Sequence, residues 1–336
     1  MVRRLLLIGL FSLLLVTGLA ISQRHWLLVQ LMSFEPVPEL APRGDEGPGV
    51  RWADDYYTVE ALDERTFAIG EPRYLQQNFN YLIVGNARAL LFDAGTGARD
   101  IRPIAESLTD LEIVFVPSHF HYDHVGNGRP FERVAIVDLP GLRERAAGGQ
   151  LTLSWQEHLG AAEGFGPFTT QVDEWIDPRG VIELGERSLE VLYTPGHTWD
   201  SISLYDREAN FLFAGDFLYE GDLYAFLPTS VAGDYQQGAE EVLGRVDQNA
   251  RIFGAHRVTS KNAPELAVSD VRDLSKTLER VRNGTQEGQG IYPVRYEISD
   301  GLGLLLEPEI FQSWDRTHPE LAAPAPGQAL ENAAIN

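Results

Sequence analysis

The sequence predicts an α/β fold in which a group of strands followed by a helix occurs twice. Two observations carry that reading. Short strand-like runs punctuated by turn residues precede a helical run in each half of the chain, and histidines and aspartates collect where those runs end. At 336 residues, with 44% hydrophobic and 23% charged content, the chain is globular and long enough for one large or two ordinary domains.

In chain order, residues 1–32 open with Arg3 and Arg4 ahead of the uncharged, mostly apolar stretch 5–21. That is the pattern of a signal peptide or an N-terminal membrane anchor, with Gly18-Leu19-Ala20 offering a small-residue cleavage site. The positive-inside rule sends the remainder of the chain across the membrane, so the expected location is extracytoplasmic, periplasmic or cell-surface, either membrane-anchored or secreted. Residues 33–54 are rich in proline, glycine and acids and read as a linker without function.

The expected folded domain covers residues 55–312. Strand-like runs at 56–62, 67–70, 81–84 and 89–92 predict two hairpins, 101–108 a short helix, and the continuous apolar run 113–116 a strand buried on both faces. The second half repeats this with strands at 181–184, 189–193, 202–205 and 211–214 and a helix at 236–246. Between the halves, residues 139–170 carry Trp155, Phe165 and Phe168 among glycines, show no clear period, and read as an insertion near the mouth of a site. Helical spacing returns at 266–281, and residues 313–336 form a C-terminal tail that is Ala/Pro-rich from Ala322.

A net charge of −22 repels polyanions, so no nucleic-acid partner is expected. The absence of cysteine leaves no disulfide, thiolate nucleophile or thiolate metal ligand, and any metal must be held by imidazole and carboxylate.

The chemistry concentrates in Ser118-His119-Phe120-His121-Tyr122-Asp123-His124-Val125-Gly126, directly after the buried strand at 113–116. His119 and His121 are two apart, so extended backbone points both the same way, while a turn at 122–126 sends Asp123 and His124 toward a second point. His197, Asp216 and His256 each follow a strand-like run and a small residue that lets backbone approach closely. A solvated turn would account for a lone histidine, but not for this set in type, order and placement. His25, His158 and His318 are left without a role, and His158 reads as structural or exposed.

The order His-x-His-x-Asp-His, a His after Pro-Gly, then Gly-Asp, then a final His resembles the metallo-β-lactamase superfamily, over about residues 54–256 and more loosely to 281. The resemblance implies a four-layered αβ/βα sandwich with two mixed β-sheets, outer helices and the site along one edge. It implies His119, His121 and His197 as ligands of one metal, Asp123, His124 and His256 of a second, and Asp216 as the bridge. Leu91-Phe92-Asp93-Ala94-Gly95 looks like the family's early Asp motif, which implies that Asp93 orients a ligand.

Nitrogen and oxygen ligation suits two Zn2+ ions best, and iron or manganese also fit. Two such cations ionise a shared water for attack on a carbonyl or phosphoryl centre, so no protein nucleophile is needed. The full ligand set is nearer to thioesterase- and lactonase-like members than to true β-lactamases, and Asp216 to Pro228 is reminiscent of acyl-CoA thioesterases. The expected function is hydrolysis of an ester-like carbonyl, with thioester or lactone favoured, in a small-molecule substrate with an apolar portion. That portion is suggested by Trp199 and the aromatic run at 217–228. The alternatives are a phosphodiesterase, a β-lactamase-like hydrolase, a mononuclear-iron sulfur dioxygenase and, last, a non-catalytic membrane-associated binding protein.

Overall fold

The computed structural model describes residues 2–32, 39–126, 128, 131–166 and 168–321. Helix α1 (Val2–Ser22) turns into α2 (Arg24–Met32). No single helix among the described residues is long and apolar enough to cross a membrane; Leu10–Ser22 and Arg24–Leu31 have the required composition only as a pair bent by 69°. Helix α2 buries Val29 among Tyr122, Leu159, Phe226 and Leu227. Of the expected linker, residues 33–38 lie outside the described residues. The rest is tied down, with the Ala41 amide donating to Arg73 and the Gly47 amide to Lys261.

The first half continues with β1 (Arg51–Trp52), β2 (Thr58–Asp63), β3 (Thr66–Gly70), β4 (Phe79–Val84), β5 (Ala89–Phe92), α3 (Arg102–Glu106), β6 (Ile113–Val116), α4 (Tyr122–Val125) and β7 (Arg133–Val137). The two predicted hairpins are present, and β3 also pairs with β4, so they merge into one antiparallel meander. From β5 onward the sheet turns parallel, with α3 lying in the crossover to β6.

The stretch expected to be an insertion holds α5 (Leu142–Arg145), β8 (Gln150–Thr152), α6 (Trp155–His158) and β9 (Thr169–Gln171), with β8 and β9 forming a two-stranded ribbon. Elements of three or four residues are too short to print a period, which is why none is readable. Strand β10 (Glu174–Ile176) then completes an eight-stranded sheet ordered β1-β2-β3-β4-β5-β6-β7-β10.

The second half comprises β11 (Val181–Glu183), β12 (Ser188–Tyr193), β13 (Ile202–Asp206), β14 (Phe211–Gly215), β15 (Gly221–Ala225), α7 (Ala232–Arg245), β16 (Arg251–Gly254), β17 (Glu265–Ala267), α8 (Val268–Arg282), β18 (Val294–Ser299) and β19 (Leu302–Leu306). Its main sheet runs β11-β12-β13-β14-β16-β17 and is mixed, with β14 and β16 parallel across the α7 crossover. The small sheet β15-β19-β18 is not anticipated from the sequence. The helix expected at 236–246 starts earlier, at Ala232, and the run at 266–281 opens with strand residues before α8 begins.

Two apolar cores explain the layering. Phe211 and Phe213 of β14 face the first sheet, where Phe213 meets Tyr81 at 5.1 Å between ring centroids, while Leu212 and Ala214 face the other way toward Tyr235, Val242 and Leu274 of α7 and α8. Alternate residues of one strand thus fill two cores, as a sheet covered on both sides requires. Sheet stacks on sheet with helices outside, the expected four-layered sandwich.

Candidate metal centre

Strand β6 is buried along its whole length, and its end drives Ser118 onward into the interior edge between the two sheets. The Ser118 amide donates to Asp93 Oδ1 at 2.6 Å, and Asp93 Oδ2 accepts from His124 Nδ1 at 2.8 Å. One carboxylate therefore fixes both ends of the His119–His124 loop. Asp93 holds left-handed backbone (φ 66°), a conformation aspartate tolerates better than most residues. His121 stands at the N-cap of α4, whose single turn presents Asp123 and His124.

The second half brings its candidate ligands from three strand ends. Gly215 (φ 52°) ends β14 so close to the loop that a Cβ there would meet the Ser118 Cβ at 2.6 Å. Only glycine lets Asp216 sit beside the histidines of the first half. Gly196 (φ 138°) does the same ahead of His197, where a Cβ would lie 2.3 Å from the Tyr235 Cα of α7. His256 follows β16, and its Nδ1 donates to the Gln76 carbonyl at 2.9 Å.

All seven sequence-predicted residues converge and are buried or nearly so. His121 Nδ1 lies 3.0 Å from His119 Nε2 and 2.9 Å from His197 Nε2. Asp216 Oδ1 lies 3.0 Å from His256 Nε2 and 3.4 Å from His124 Nε2, while its Oδ2 lies 3.3 Å from His197 Nε2. Asp123 Oδ2 is 3.6 Å from both His124 Nε2 and His256 Nε2. Three groups have ligand atoms close enough to hold a cation: His119, His121 and His197; His119, His124 and Asp216; Asp123, His124 and His256.

The donor chemistry fits metal. His197 Nδ1 donates to the Tyr224 carbonyl at 2.6 Å, His256 Nδ1 to Gln76 and His124 Nδ1 to Asp93, so each neutral ring turns a bare Nε2 lone pair inward. In the neutral form, the His124 and His256 lone pairs would face carboxylate oxygens, an arrangement that only protons or cations relieve. Among the described residues, buried His124 Nε2 and Asp216 Oδ1 have no hydrogen-bond partner of normal geometry. Without metal, burial opposes charge on His124 and His256, but Asp93, Asp216 and Asp123 raise the first well above its ordinary pKa and Asp216 raises the second. Burial lowers His119, His121 and His197. Burial opposes the Asp216 charge, yet His256, His124 and His197 hold it well below the usual carboxylate range.

A cavity of about 530 Å3 opens onto His121, Asp123, His197, Asp216 and His256, and its lining includes Val29, Leu75, Leu159 and Leu227 together with Tyr219, Glu220 and Arg257. Leu159 and Glu163, from the 139–170 stretch, are among the residues that line the cavity. Tyr219 and Tyr224 of the expected aromatic run line the cavity, whereas Phe217 is core and Trp199 packs toward His318 at 5.9 Å instead of lining it. His158 is buried against Phe168, and His25 pairs with Glu307.

Sequence reasoning does not find Asn78, whose Nδ2 donates to the Asp123 carbonyl at 3.0 Å and to Asp123 Oδ2 at 3.2 Å. Nor does it find Gln76, whose carbonyl sets His256 and whose side chain, with Tyr74 and Tyr122, hydrogen-bonds Glu163 of the insertion.

The sequence profile of the metallo-beta-lactamase superfamily matches residues 73–284, and the chain belongs to that superfamily, a class of metallo-hydrolases. Among its relatives, the acyl-coenzyme A thioesterase MBLAC2 of Homo sapiens is 27% identical over 236 residues, covering 61% of this chain and 85% of the relative. The hydroxyacylglutathione hydrolase of Nostoc punctiforme is 27% identical over 254 residues, 72% of this chain and 87% of the relative. The structure of a metallo-beta-lactamase from Pontibacter korlensis superimposes with a TM-score of 0.50 at 17% identity, over 66% of this chain and 99% of that one. This last likeness bears on the fold alone.

Proposed function

We propose that this chain is a binuclear metallo-hydrolase that adds water across an ester-like acyl bond, a thioester or lactone, in a substrate with an apolar portion. The observation that carries the reading is Asp216 offering one oxygen toward His197 and the other toward His124 and His256, at the floor of an apolar-walled cavity. His119, His121 and His197 would hold one cation, Asp123, His124 and His256 a second, with Asp216 between them and zinc as the metal. Metals held there supply Lewis acidity toward the acyl oxygen and lower the pKa of a water. The apolar side chains of the cavity would orient the acyl group over these residues.

Two similar proteins carry the names of acyl hydrolases, an acyl-coenzyme A thioesterase and a hydroxyacylglutathione hydrolase, which supports the bond type. The leaving group need not be theirs. Glu163, Glu220 and Asp222 line the cavity, and Arg257, whose side chain is 6% exposed, is already paired with Glu46 at 2.6 Å. Such a lining disfavours a polyanionic leaving group such as coenzyme A and favours an uncharged one. The amino-terminal apolar segment supports an extracytoplasmic, membrane-associated location.

The test is an inductively coupled plasma metal count on purified protein together with turnover of acyl thioesters, lactones and bis(p-nitrophenyl) phosphate. Two zinc ions per chain and acyl turnover are expected. Turnover of the phosphodiester alone would reverse the assignment, and a single iron with oxygen uptake on a persulfide would replace it with the dioxygenase reading.

A further inference from the structure

Beside the two large cores lies a third, small apolar cluster of Val29, Tyr122, Leu159, Phe226 and Leu227, separate from both. Its members come from four distant stretches: α2, the metal-ligand loop, the insertion, and the segment after β15. Four of the five, all but Phe226, also line the cavity over the ligands. At the cavity edge Leu75 and Val258 are 73% and 61% exposed. An apolar surface that starts beside His121 and Asp123 and ends in exposed aliphatic side chains matches hydrocarbon attached to a reacting carbonyl, and the volume suits a small-molecule site.

Helix α2 reaches this wall under two restraints. At its first turn Arg24 makes a bidentate pair with Glu307, at 2.6 and 3.0 Å, and His25 lies 3.1 Å from the same carboxylate. Five residues on, Val29 is 4% exposed against Tyr122, Leu159, Phe226 and Leu227, while the next residue, Gln30, faces solvent. Glu307 also accepts from the Tyr292 hydroxyl at 3.1 Å, and Tyr292 packs against the same cluster, so this charged latch holds α2 and Val29 at the cavity.

We propose that α2 is a wall of the substrate pocket and that Val29 is a specificity-determining residue for the length of the acyl chain, an assignment that rests on the acyl-hydrolase reading above. A segment that reads as a leader or anchor is, in this assignment, part of the binding site. Acyl chains long enough to reach Val29 gain about fourfold in kcat/KM per methylene buried there, and chains too short to reach it gain nothing.

The experiment compares kcat/KM for p-nitrophenyl dodecanoate and butanoate with the full, metal-loaded chain. The dodecanoate-to-butanoate ratio is expected to fall at least tenfold in Val29→Trp, which fills the wall, and at least fourfold in Val29→Ala, which removes two methyls from it. Gln30→Ala should keep the wild-type ratio. A ratio within twofold of wild type in a natively folded Val29→Trp overturns the proposal. If that variant does not fold, an unchanged ratio in Val29→Ala overturns it. If wild type cleaves neither ester, the hydrolase reading stands or falls on the thioester and lactone assay above, and the wall is judged separately by calorimetry with dodecanamide. Binding weakened at least fourfold by Val29→Ala sustains the wall, and equal or absent binding ends it.

Discussion

The two halves of the molecule build one centre by different means. The first half supplies His119, His121, Asp123 and His124 from six consecutive positions after one strand, while the second supplies His197, Asp216 and His256 from the ends of three. The first arrangement is local and is fixed by one carboxylate, Asp93. The second depends on sheet register: β14 and β16 pair Gly215 with Gly254 across an irregularity after Phe213, and that pairing sets Asp216 and His256 side by side. A loop can be encoded by neighbours in sequence, whereas a strand-end ligand is only as well placed as the sheet beneath it.

The comparison breaks most visibly at Asp216, the second-half residue that faces both clusters. Asp216→Ala should lower kcat/KM by ~10^3-fold or more, beyond the ~10–100-fold typical of partners that only orient a ligand, and should lower the metal count per chain. His121→Ala, which removes a first-half ligand, should also abolish turnover with the fold retained. It should leave one metal bound, because Asp123, His124 and His256 form a separate group. Loss of all metal in His121→Ala would show that the clusters do not bind independently.

Asp93 comes next. Asp93→Ala leaves every proposed ligand in place but frees the His124 ring and the Ser118 amide, so metal affinity should fall ~10–100-fold. Competition with a chelator of known affinity measures this. An unchanged affinity would mean that the turn of α4 alone suffices to aim His124.

The seven candidate ligands are legible because histidine and aspartate at strand ends are a signal of residue type and position together. Asp93 is legible only through the resemblance of Leu91-Phe92-Asp93-Ala94-Gly95, since an aspartate after a strand is otherwise an ordinary turn residue. The carbonyls of Gln76 and Tyr224, which set two ring tautomers, leave no side-chain trace at all. In the small sheet, Tyr296 and Ile298 of β18 alternate with polar residues, a usable strand signal, while β15 lies inside the aromatic run 217–228 that reads as pocket lining. Residues 24–32 read as leader because apolar sequence looks the same whether lipid or protein will cover it.

Asn78 sharpens the comparison on the first-half side at a smaller scale. Asn78→Ala removes the two hydrogen bonds that hold Asp123, at a cost of about 1 kcal/mol. Affinity at the cluster of Asp123, His124 and His256 should drop roughly fivefold, with the cluster of His119, His121 and His197 unaffected. Stepwise metal titration separates the two, and equal weakening of both would place Asn78 in the general scaffold.

The smallest effect on turnover, and the one with a pH signature, is expected at Asp200, a second-half residue lying under the first-half loop. It is 1% exposed, and among the described residues neither oxygen has a hydrogen-bond partner of normal geometry. Burial pushes its pKa up to about 7, only partly offset by Thr198 and the Phe120 backbone. In the unfolded chain an aspartate ionises near ~3.9, so between these values the folded state holds a proton that the unfolded state has released. The resulting stabilisation is full below the unfolded pKa and is lost as pH rises through the folded one. Asp200→Asn keeps the shape and abolishes the ionisation, so at pH 8 it should be more stable than wild type, by on the order of 1–3 kcal/mol, and at pH 4 nearly equal to it. Thermal unfolding of the two proteins at both pH values reads the difference. A gain of the same size at pH 4, or a loss at pH 8, would show that its neighbours hold the Asp200 carboxylate as an anion.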